Sequence, residues 1–194
     1  MLKNFFTNST NLAKEICKLK LENGDRAIDA TMGNGNDTIF LRELVGEDGS
    51  VYSFDIQKMA IENTRKKLND INIDMRNVEL ILDGHQNIDK YVKEKVKLVM
   101  FNLGYLPGAD HKLTTKADTT IEGIEKSLNI LEKNGVVILV IYYGHEGGEE
   151  EREEVLDFIS SLNQKEYNVA KLSFINQVNS PPELICIEKR GVEG

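Results

Sequence analysis

The sequence predicts a three-layer α/β fold in one domain, 1–194, built on a seven-stranded, mostly parallel sheet with one antiparallel strand. Short apolar runs alternate with amphipathic segments along almost the whole chain, a pattern typical of α/β proteins. The last two apolar runs are joined by the loop NQVNSPP, which leaves no room for a crossover helix, so these two strands must pair antiparallel. At 194 residues the chain suits a single domain that carries one site.

Seven strands are predicted from runs rich in Val, Ile, Leu or Phe. In chain order they span 26–30, 51–55, 78–82, 97–102, 136–142, 168–175 and 184–189. A helix from about Asn11 to Leu19, capped by Ser9 or Thr10, precedes the first strand. This helix is expected to cover the sheet edge or a partner subunit, which leaves a homodimer open.

Apolar residues at helical spacing predict the helices that pack on the sheet. Three such stripes are Ile61, Thr64 and Leu68; Ile121, Ile124, Leu128 and Leu131; and Val155, Phe158, Ile159 and Leu162. The acidic run 149–154 is expected to form the first turns of a helix, because carboxylates are favoured at the positive end of the helix dipole. We therefore expect no metal site there.

Composition and charge limit the class of protein. A content of 40% hydrophobic and 29% charged residues is that of an ordinary soluble protein. The chain shows no signal peptide and no run long enough to span a membrane, and its two cysteines, Cys17 and Cys186, are expected to be reduced. A cytoplasmic protein without a membrane partner is the default expectation. The net charge of −8 disfavours a protein that coats nucleic acid, although a local basic patch remains compatible with it.

The ten residues 29–38, DATMGNGNDT, follow the first predicted strand, where an open parallel sheet binds its ligand. Gly33 and Gly35 allow positive φ and a close approach of the backbone to that ligand. Asp37 and Thr38 then begin a helix whose N–H groups face the same space.

Two glycine patterns compete for this loop. The dinucleotide fingerprint G-x-G-x-x-G requires a third glycine where Thr38 stands. The pattern D-x-G-x-G-x-G is in register with Asp29, Thr31, Gly33 and Gly35. Thr31 departs from the first glycine of that pattern, and its hydroxyl could hydrogen-bond the ligand instead.

Acidic residues also end the second and third predicted strands. Asp55 follows the glycines by about twenty residues, where a carboxylate can accept both hydroxyls of a ribose. Asp83, which precedes Gly84 and His85, could accept from an adenine amino group. Because parallel strands end at one edge of the sheet, these acids are expected to converge on one crevice.

After the fourth strand, Asn102-Leu103-Gly104-Tyr105 resembles the Asn/Asp-Pro-Pro-Tyr motif of amino-group methyltransferases that act on nucleic acid. The runs DATMGNG (29–35), NLGYLPG (102–108) and YYGHEGG (142–148) together resemble the bacterial tRNA 5-aminomethyl-2-thiouridine methyltransferases, a family formerly described as rRNA methylases. The strand pattern likewise resembles the Rossmann-like fold of class I S-adenosylmethionine-dependent methyltransferases. The resemblance runs from about residue 20 to the C-terminus.

This resemblance implies that S-adenosylmethionine is the cofactor and that its methyl group moves to the aminomethyl nitrogen of the modified wobble uridine, in the anticodon region of tRNA. The residues expected to bind the cofactor are Asp29, Thr31, Met32, Gly33, Asn34, Gly35, Asp37, Thr38, Asp55, Ile56, Gln57, Asp83, Gly84, His85, Asn102 and Leu103.

Four residues are expected to carry the chemistry: Asn102, Tyr105, Asp110 and His145. The Asn102 side-chain carbonyl and the Leu103 backbone carbonyl can accept from the target amine and orient its lone pair, and Tyr105 could stack on the base. An aliphatic amine is largely protonated near neutral pH, so a group must first take a proton. Asp110, His111 and His145 are candidates, and spacing selects none of them.

The sequence is also compatible with other functions. The same methyltransferase could act on rRNA or on a small-molecule amine. The net charge would favour the small-molecule amine. A nicotinamide-dependent oxidoreductase would need the third glycine and a separate substrate domain. A non-catalytic nucleotide-binding or RNA-binding scaffold would leave the donor and acceptor groups of 102–105 without a purpose.

Overall fold

The structure is a computed structural model, and it describes residues 6–104, 115–145 and 147–191. The described strands form one seven-stranded sheet, and helices pack on both of its faces. The strands are β1 Arg26–Asp29, β2 Ser50–Asp55, β3 Val78–Leu82, β4 Val96–Leu103, β5 Leu131–Ile141, β6 Tyr167–Leu172 and β7 Glu183–Lys189. The α-helices are α1 Ser9–Lys20, α2 Asn36–Val45, α3 Lys58–Asp70, α4 Ile88–Tyr91, α5 Ala117–Ile130 and α6 Gly148–Ser160.

The strand order is β3-β2-β1-β4-β5-β7-β6. Strand β7 runs antiparallel to both β5 and β6, and the other neighbours pair in parallel. The chain moves from β1 outward to β2 and β3, then crosses back to place β4 on the other side of β1. The predicted fold class is confirmed, and the switch point of the sheet lies between β1 and β4.

Two apolar cores hold the layers together, one on each face of the sheet. On one face, α1 and α2 bury residues such as Leu12 and Leu41 against β1, β4 and β5. On the other face, α4, α5 and α6 bury residues such as Ile88, Ile124 and Val155. The predicted stripes of α5 and α6 supply contacts of the second core, except that Leu131 belongs to β5 because α5 ends at Ile130. Ile61 of the α3 stripe lies in a separate small cluster with Met32 and Ala60.

Helix α1 begins earlier than predicted, and its predicted cap is wrong. The N-cap is Asn8, whose side chain accepts from the Asn11 backbone N–H at 2.8 Å. The Ser9 hydroxyl instead donates to the Pro182 carbonyl, and the Thr10 hydroxyl lies 2.9 Å from the Tyr142 hydroxyl. The start of α1 is therefore tied to the loop before β7 and to the end of β5. Within the described ranges, no helix has the length and apolar character needed to cross a bilayer.

Candidate functional site at the strand ends

The carboxyl ends of β1, β2 and β4 meet around the switch point. Asp29 ends β1 and is fully buried. Its carboxylate accepts from the Thr31 backbone N–H at 3.2 Å and from the Thr38 hydroxyl at 2.7 Å. Burial, and secondly the nearby Asp37 carboxylate, raise the pKa of Asp29 to about 7. Because Asp29 and Thr38 are both fully buried, they brace the loop from inside.

The glycine loop adopts the conformation that the sequence predicts. Gly33 has φ 51° and Gly35 has φ 73°, both in the left-handed region. A Cβ on Gly35 would lie 2.5 Å from Cγ2 of Thr64 in α3, so this position also requires glycine for space. Met32 is buried, whereas Asn34 stays partly exposed.

Asp55 fastens this loop to β2. Its Oδ2 accepts from the Gly33 N–H at 2.9 Å, and its Oδ1 accepts from the Gln57 N–H at 2.8 Å. Burial raises the pKa of Asp55 above its usual value. Two large apolar side chains stand beside it at the strand tips, Ile56 at 61% exposed and Leu82 at 54% exposed. An acid next to exposed apolar groups suits a ligand with a hydroxylated part and an apolar ring.

Asp83, predicted to face an adenine, is already engaged within the chain. Its Oδ1 accepts from the Gly84 N–H and from the Asn87 amide, each at 2.8 Å, and its Oδ2 accepts from the Tyr91 hydroxyl at 2.9 Å. Although desolvation opposes the change, these hydrogen bonds lower the pKa of Asp83. A ligand amino group would have to share this carboxylate with three donors.

His85 turns into the protein interior. It is buried, its Nδ1 lies 3.2 Å from the Ala30 carbonyl oxygen, and its ring packs edge-on against Phe101 at 5.4 Å. Burial lowers the pKa of His85, so the neutral imidazole is favoured. On these contacts His85 supports the loop after β1.

Asn102 lies near the end of β4 and is held from two sides. Its backbone N–H donates to the Thr31 hydroxyl at 2.7 Å, so the residue that replaces the first glycine of the motif joins β1 to β4. Its side-chain Nδ2 donates to Asp37 Oδ2 at 2.8 Å. The other Asp37 oxygen lies 3.1 Å from the Lys14 ammonium of α1. Among the described residues, Asn102 Oδ1 has no hydrogen-bond partner and remains able to accept.

The neighbouring groups complete this corner of the site. The Leu103 carbonyl accepts from the Tyr142 N–H at 2.9 Å, so one of its two lone pairs is used by the backbone after β5. The His145 ring lies close to Gly104, because a Cβ on that glycine would come 3.8 Å from the imidazole Cε1. Tyr105, Asp110 and His111 lie outside the described residues.

The structure therefore brings Asp37, Asp55, Asn102 and His145 to the same edge of the sheet as the glycine loop. Three residues of this region are not identified from the sequence: Lys14, Thr115 and Glu151. Lys14 gives no local signal, since its partner lies in a different element. Glu151 does give one, because it falls on the helical stripe of Val155 and Ile159 and is buried with them.

Comparisons with known proteins find relatives that match most of the chain. The family model described as "Putative rRNA methylase" matches residues 51–188. The chloroplastic tRNA (mnm(5)s(2)U34)-methyltransferase of Arabidopsis thaliana is 37% identical over 182 residues, covering 89% of this chain. The chain spans 66% of that relative's length, just under two thirds.

Two solved structures are similar over nearly the full chain. A Clostridium thermocellum protein of the same description is 50% identical with a TM-score of 0.93, covering 97% of this chain and 100% of that one. A Streptococcus mutans protein solved in complex with SAH is 43% identical with a TM-score of 0.86, covering 97% and 99%.

Proposed function

The chain belongs to the rRNA methylase family of S-adenosylmethionine-dependent methyltransferases, and from that membership we propose that it methylates the aminomethyl nitrogen of 5-aminomethyl-2-thiouridine at the tRNA wobble position. The family, enzyme class and cofactor expected from the sequence are confirmed at the level of the family. The identity of the methyl acceptor goes beyond the family, the enzyme class and the cofactor. It is supported by the name of the Arabidopsis relative and by the orientation of one amide at the site.

That amide belongs to Asn102 and carries the proposal. Because Nδ2 donates to Asp37, the side-chain oxygen is the end that stays able to accept. An accepting oxygen suits an amine, whose N–H group it can hold while the nitrogen lone pair points along the line of attack. The nitrogen lone pair would form the new N–CH₃ bond, and the electrons of the broken S–CH₃ bond would stay on the sulfur.

The residues at the strand tips fit S-adenosylmethionine, which supplies the methyl group as a sulfonium. Asp55 retains lone pairs for the ribose hydroxyls, and exposed Ile56 and Leu82 suit the two faces of the adenine. The Gly33 to Gly35 turn would let the backbone approach the amino acid part. Asp29, Thr38 and His85 would support the residues that contact the cofactor and would not contact it themselves, because they are buried.

The amine must lose its proton before transfer, and the acceptor of that proton stays a proposal. His145 is the candidate within the described residues, since its ring lies beside Gly104. Asp110 and His111 belong to the segment between Gly104 and Thr115 and remain candidates. A homodimer and a cytoplasmic location likewise stay proposals, and the Arabidopsis relative is chloroplastic.

The test is nucleoside mass spectrometry on tRNA that carries the unmethylated aminomethyl nucleoside. We expect incubation with the protein and S-adenosylmethionine to convert that nucleoside to its monomethyl form. Asn102→Ala should lower kcat by about 100-fold, because it removes the oxygen that aims the amine. Conversion of rRNA or of free small amines at rates comparable to tRNA would contradict the proposed acceptor. Of these two alternatives, the net charge of −8 favours the small amine.

A further inference from the structure

Glu151 of α6 carries no role in the reaction described so far. We infer that Glu151 is a positioning residue that fixes the end of β4 through Thr115, so that Asn102 is held in register for the acceptor. The inference rests on the proposed function, because that function makes Asn102 the group that is positioned. The positioning itself rests on a chain of hydrogen bonds from Glu151 to β4.

Glu151 is a buried carboxylate on the first turn of α6. It is 5% exposed, and its two oxygens accept from the Thr115 and Thr120 hydroxyls, each at 2.8 Å. Burial raises the pKa of Glu151, while these two hydrogen bonds and the nearby His145 act in the opposite direction. The carboxylate therefore has a polar partner on each oxygen.

Thr115 links Glu151 to the end of β4. Its hydroxyl accepts from the Gly104 N–H at 3.0 Å and donates its single proton to Glu151 Oε2. Its backbone N–H donates to the Gly104 carbonyl at 3.1 Å. Both backbone polar groups of Gly104 are thus satisfied by one residue whose hydroxyl direction is set by Glu151.

Fixing Gly104 matters for the site because Gly104 follows Asn102 closely in the chain. It lies two residues after Asn102 and has φ 145°, a conformation that L side chains rarely adopt. On the other side, the preceding Leu103 carbonyl is bonded to the Tyr142 N–H. The end of β4 is therefore fixed on both sides, which keeps a reacting group in place before the acceptor arrives.

A packing role alone would not call for a carboxylate. Val155 and Ile159 fill the same stripe of α6 with apolar side chains, and burying a charge costs free energy that an apolar residue does not. The presence of Glu151 is explained by the hydrogen bond to Thr115 and by what that bond orients.

The test compares Thr115→Val with Thr120→Val. Each variant removes one hydroxyl from Glu151, but only the first breaks the link to Gly104. We expect Thr115→Val to lower kcat for methyl transfer about 10- to 100-fold with little change in the KM for S-adenosylmethionine. Thr115→Ser, which keeps the hydroxyl, should restore the rate, and Thr120→Val should stay within a few-fold of the wild type. Equal losses in the two valine variants would overturn the inference.

Glu151→Leu tests the anchor itself, with Glu150→Leu on the exposed side of α6 as the matched control. We expect Glu151→Leu to lose activity to the same extent as Thr115→Val, and the double variant to lose no more than either single one, because both break one chain. Additive losses would contradict the inference.

Hydrogen exchange of the Gly104 amide separates this inference from the proposed acceptor. It should quicken in Thr115→Val and in Glu151→Leu while the Ile141 amide is unchanged, whatever substrate the enzyme uses. An unchanged Gly104 amide would overturn the positioning role even if tRNA is methylated. A quickened amide in a protein that methylates no tRNA would support the positioning role and reject only the acceptor.

Discussion

At the scale of single residues, the acids of the site have different tasks that their chemistry alone does not distinguish. Asp29 is buried and braces the loop, Asp55 fastens it while staying partly exposed, and Asp83 is held by three donors. Asp37 orients the Asn102 amide and forms an ion pair with Lys14 of α1. What each carboxylate does follows from its partners.

Asp37→Asn tests the orientation of the Asn102 amide. An asparagine can present either its oxygen or its NH₂ group, so Asn102 would no longer be held with Nδ2 toward residue 37. We expect kcat to fall about tenfold or more, measured by the transfer of labelled methyl groups. Lys14→Met serves as the control, because it removes the ammonium and leaves the acceptor of Asn102 in place; it should lose less. An unchanged kcat in Asp37→Asn would contradict this account of the amide.

Asp29→Asn tests the buried carboxyl through its pH dependence. The folded pKa of about 7 lies above the ordinary value of 3.8, so the folded state binds more protons than the unfolded state between these values. The stability of the wild type should therefore fall as pH rises from about 4 to about 7, as far as this group contributes. Denaturant unfolding across that range should show Asp29→Asn gaining stability relative to the wild type. A constant difference between the two proteins would contradict the raised pKa.

The parts of the candidate site that depend on local pattern could be predicted from the sequence. Motif spacing predicts Gly33 and Gly35, the end of its strand predicts Asp55, and the structure brings Asp55 onto the Gly33 N–H. Local pattern does not predict Lys14 or the pairing of Thr115 with Glu151, because these contacts join elements far apart in the chain. His85 was expected at the ligand, yet its position at a strand end says nothing about which way the ring turns.

At the scale of elements, a cluster of ion pairs around the buried Glu183 ties α6 to the terminal hairpin. Glu183 of β7 accepts from Arg152 of α6 at 2.8 Å and from Lys171 of β6 at 3.1 Å, and it also accepts from Ser173. Arg152 in turn lies over the Tyr143 ring at 4.9 Å. The helix that carries Glu151 is thereby fixed to the sheet at the antiparallel edge.

This cluster gives a second pH dependence of opposite sign. Desolvation alone would raise the pKa of Glu183, but hydrogen bonds from Arg152, Ser173 and Lys171 lower it to about 2. Its contribution to stability should be fully present above the ordinary value of 4.5 and should be lost as pH falls toward 2. We expect the stability difference between wild type and Glu183→Gln, measured by denaturant unfolding, to shrink between pH 5 and about 3. A difference that grows on acidification would refute this explanation.

At the scale of the whole molecule, the seven strands and the one antiparallel strand could be predicted, since periodicity gives the elements and the crossovers give their direction; the order of the strands comes from the structure. The strand ends were predicted less accurately: β5 begins at Leu131 rather than 136, because Leu131 pairs with Val96 ahead of an irregular stretch in which Asn134 has φ 61°. Lys93, Lys95 and Lys97 lie at or just before the start of β4, and Lys93 and Lys95 donate to backbone carbonyls there.

This charge distribution predicts a small electrostatic footprint on tRNA. With a net charge of −8, we expect about two or three phosphate contacts. The logarithm of the tRNA association constant should then fall against the logarithm of salt concentration with a slope between about −1.4 and −2.7. Fluorescence titration at several salt concentrations measures it. A much steeper slope would show a large basic surface.

The most direct test of the account is a crystal structure of the protein with SAH bound. We expect the ribose hydroxyls on Asp55, the adenine between Ile56 and Leu82, and the sulfur turned toward the side-chain oxygen of Asn102. A bound molecule whose sulfur lies away from Asn102, or whose ribose leaves Asp55 untouched, would contradict the account.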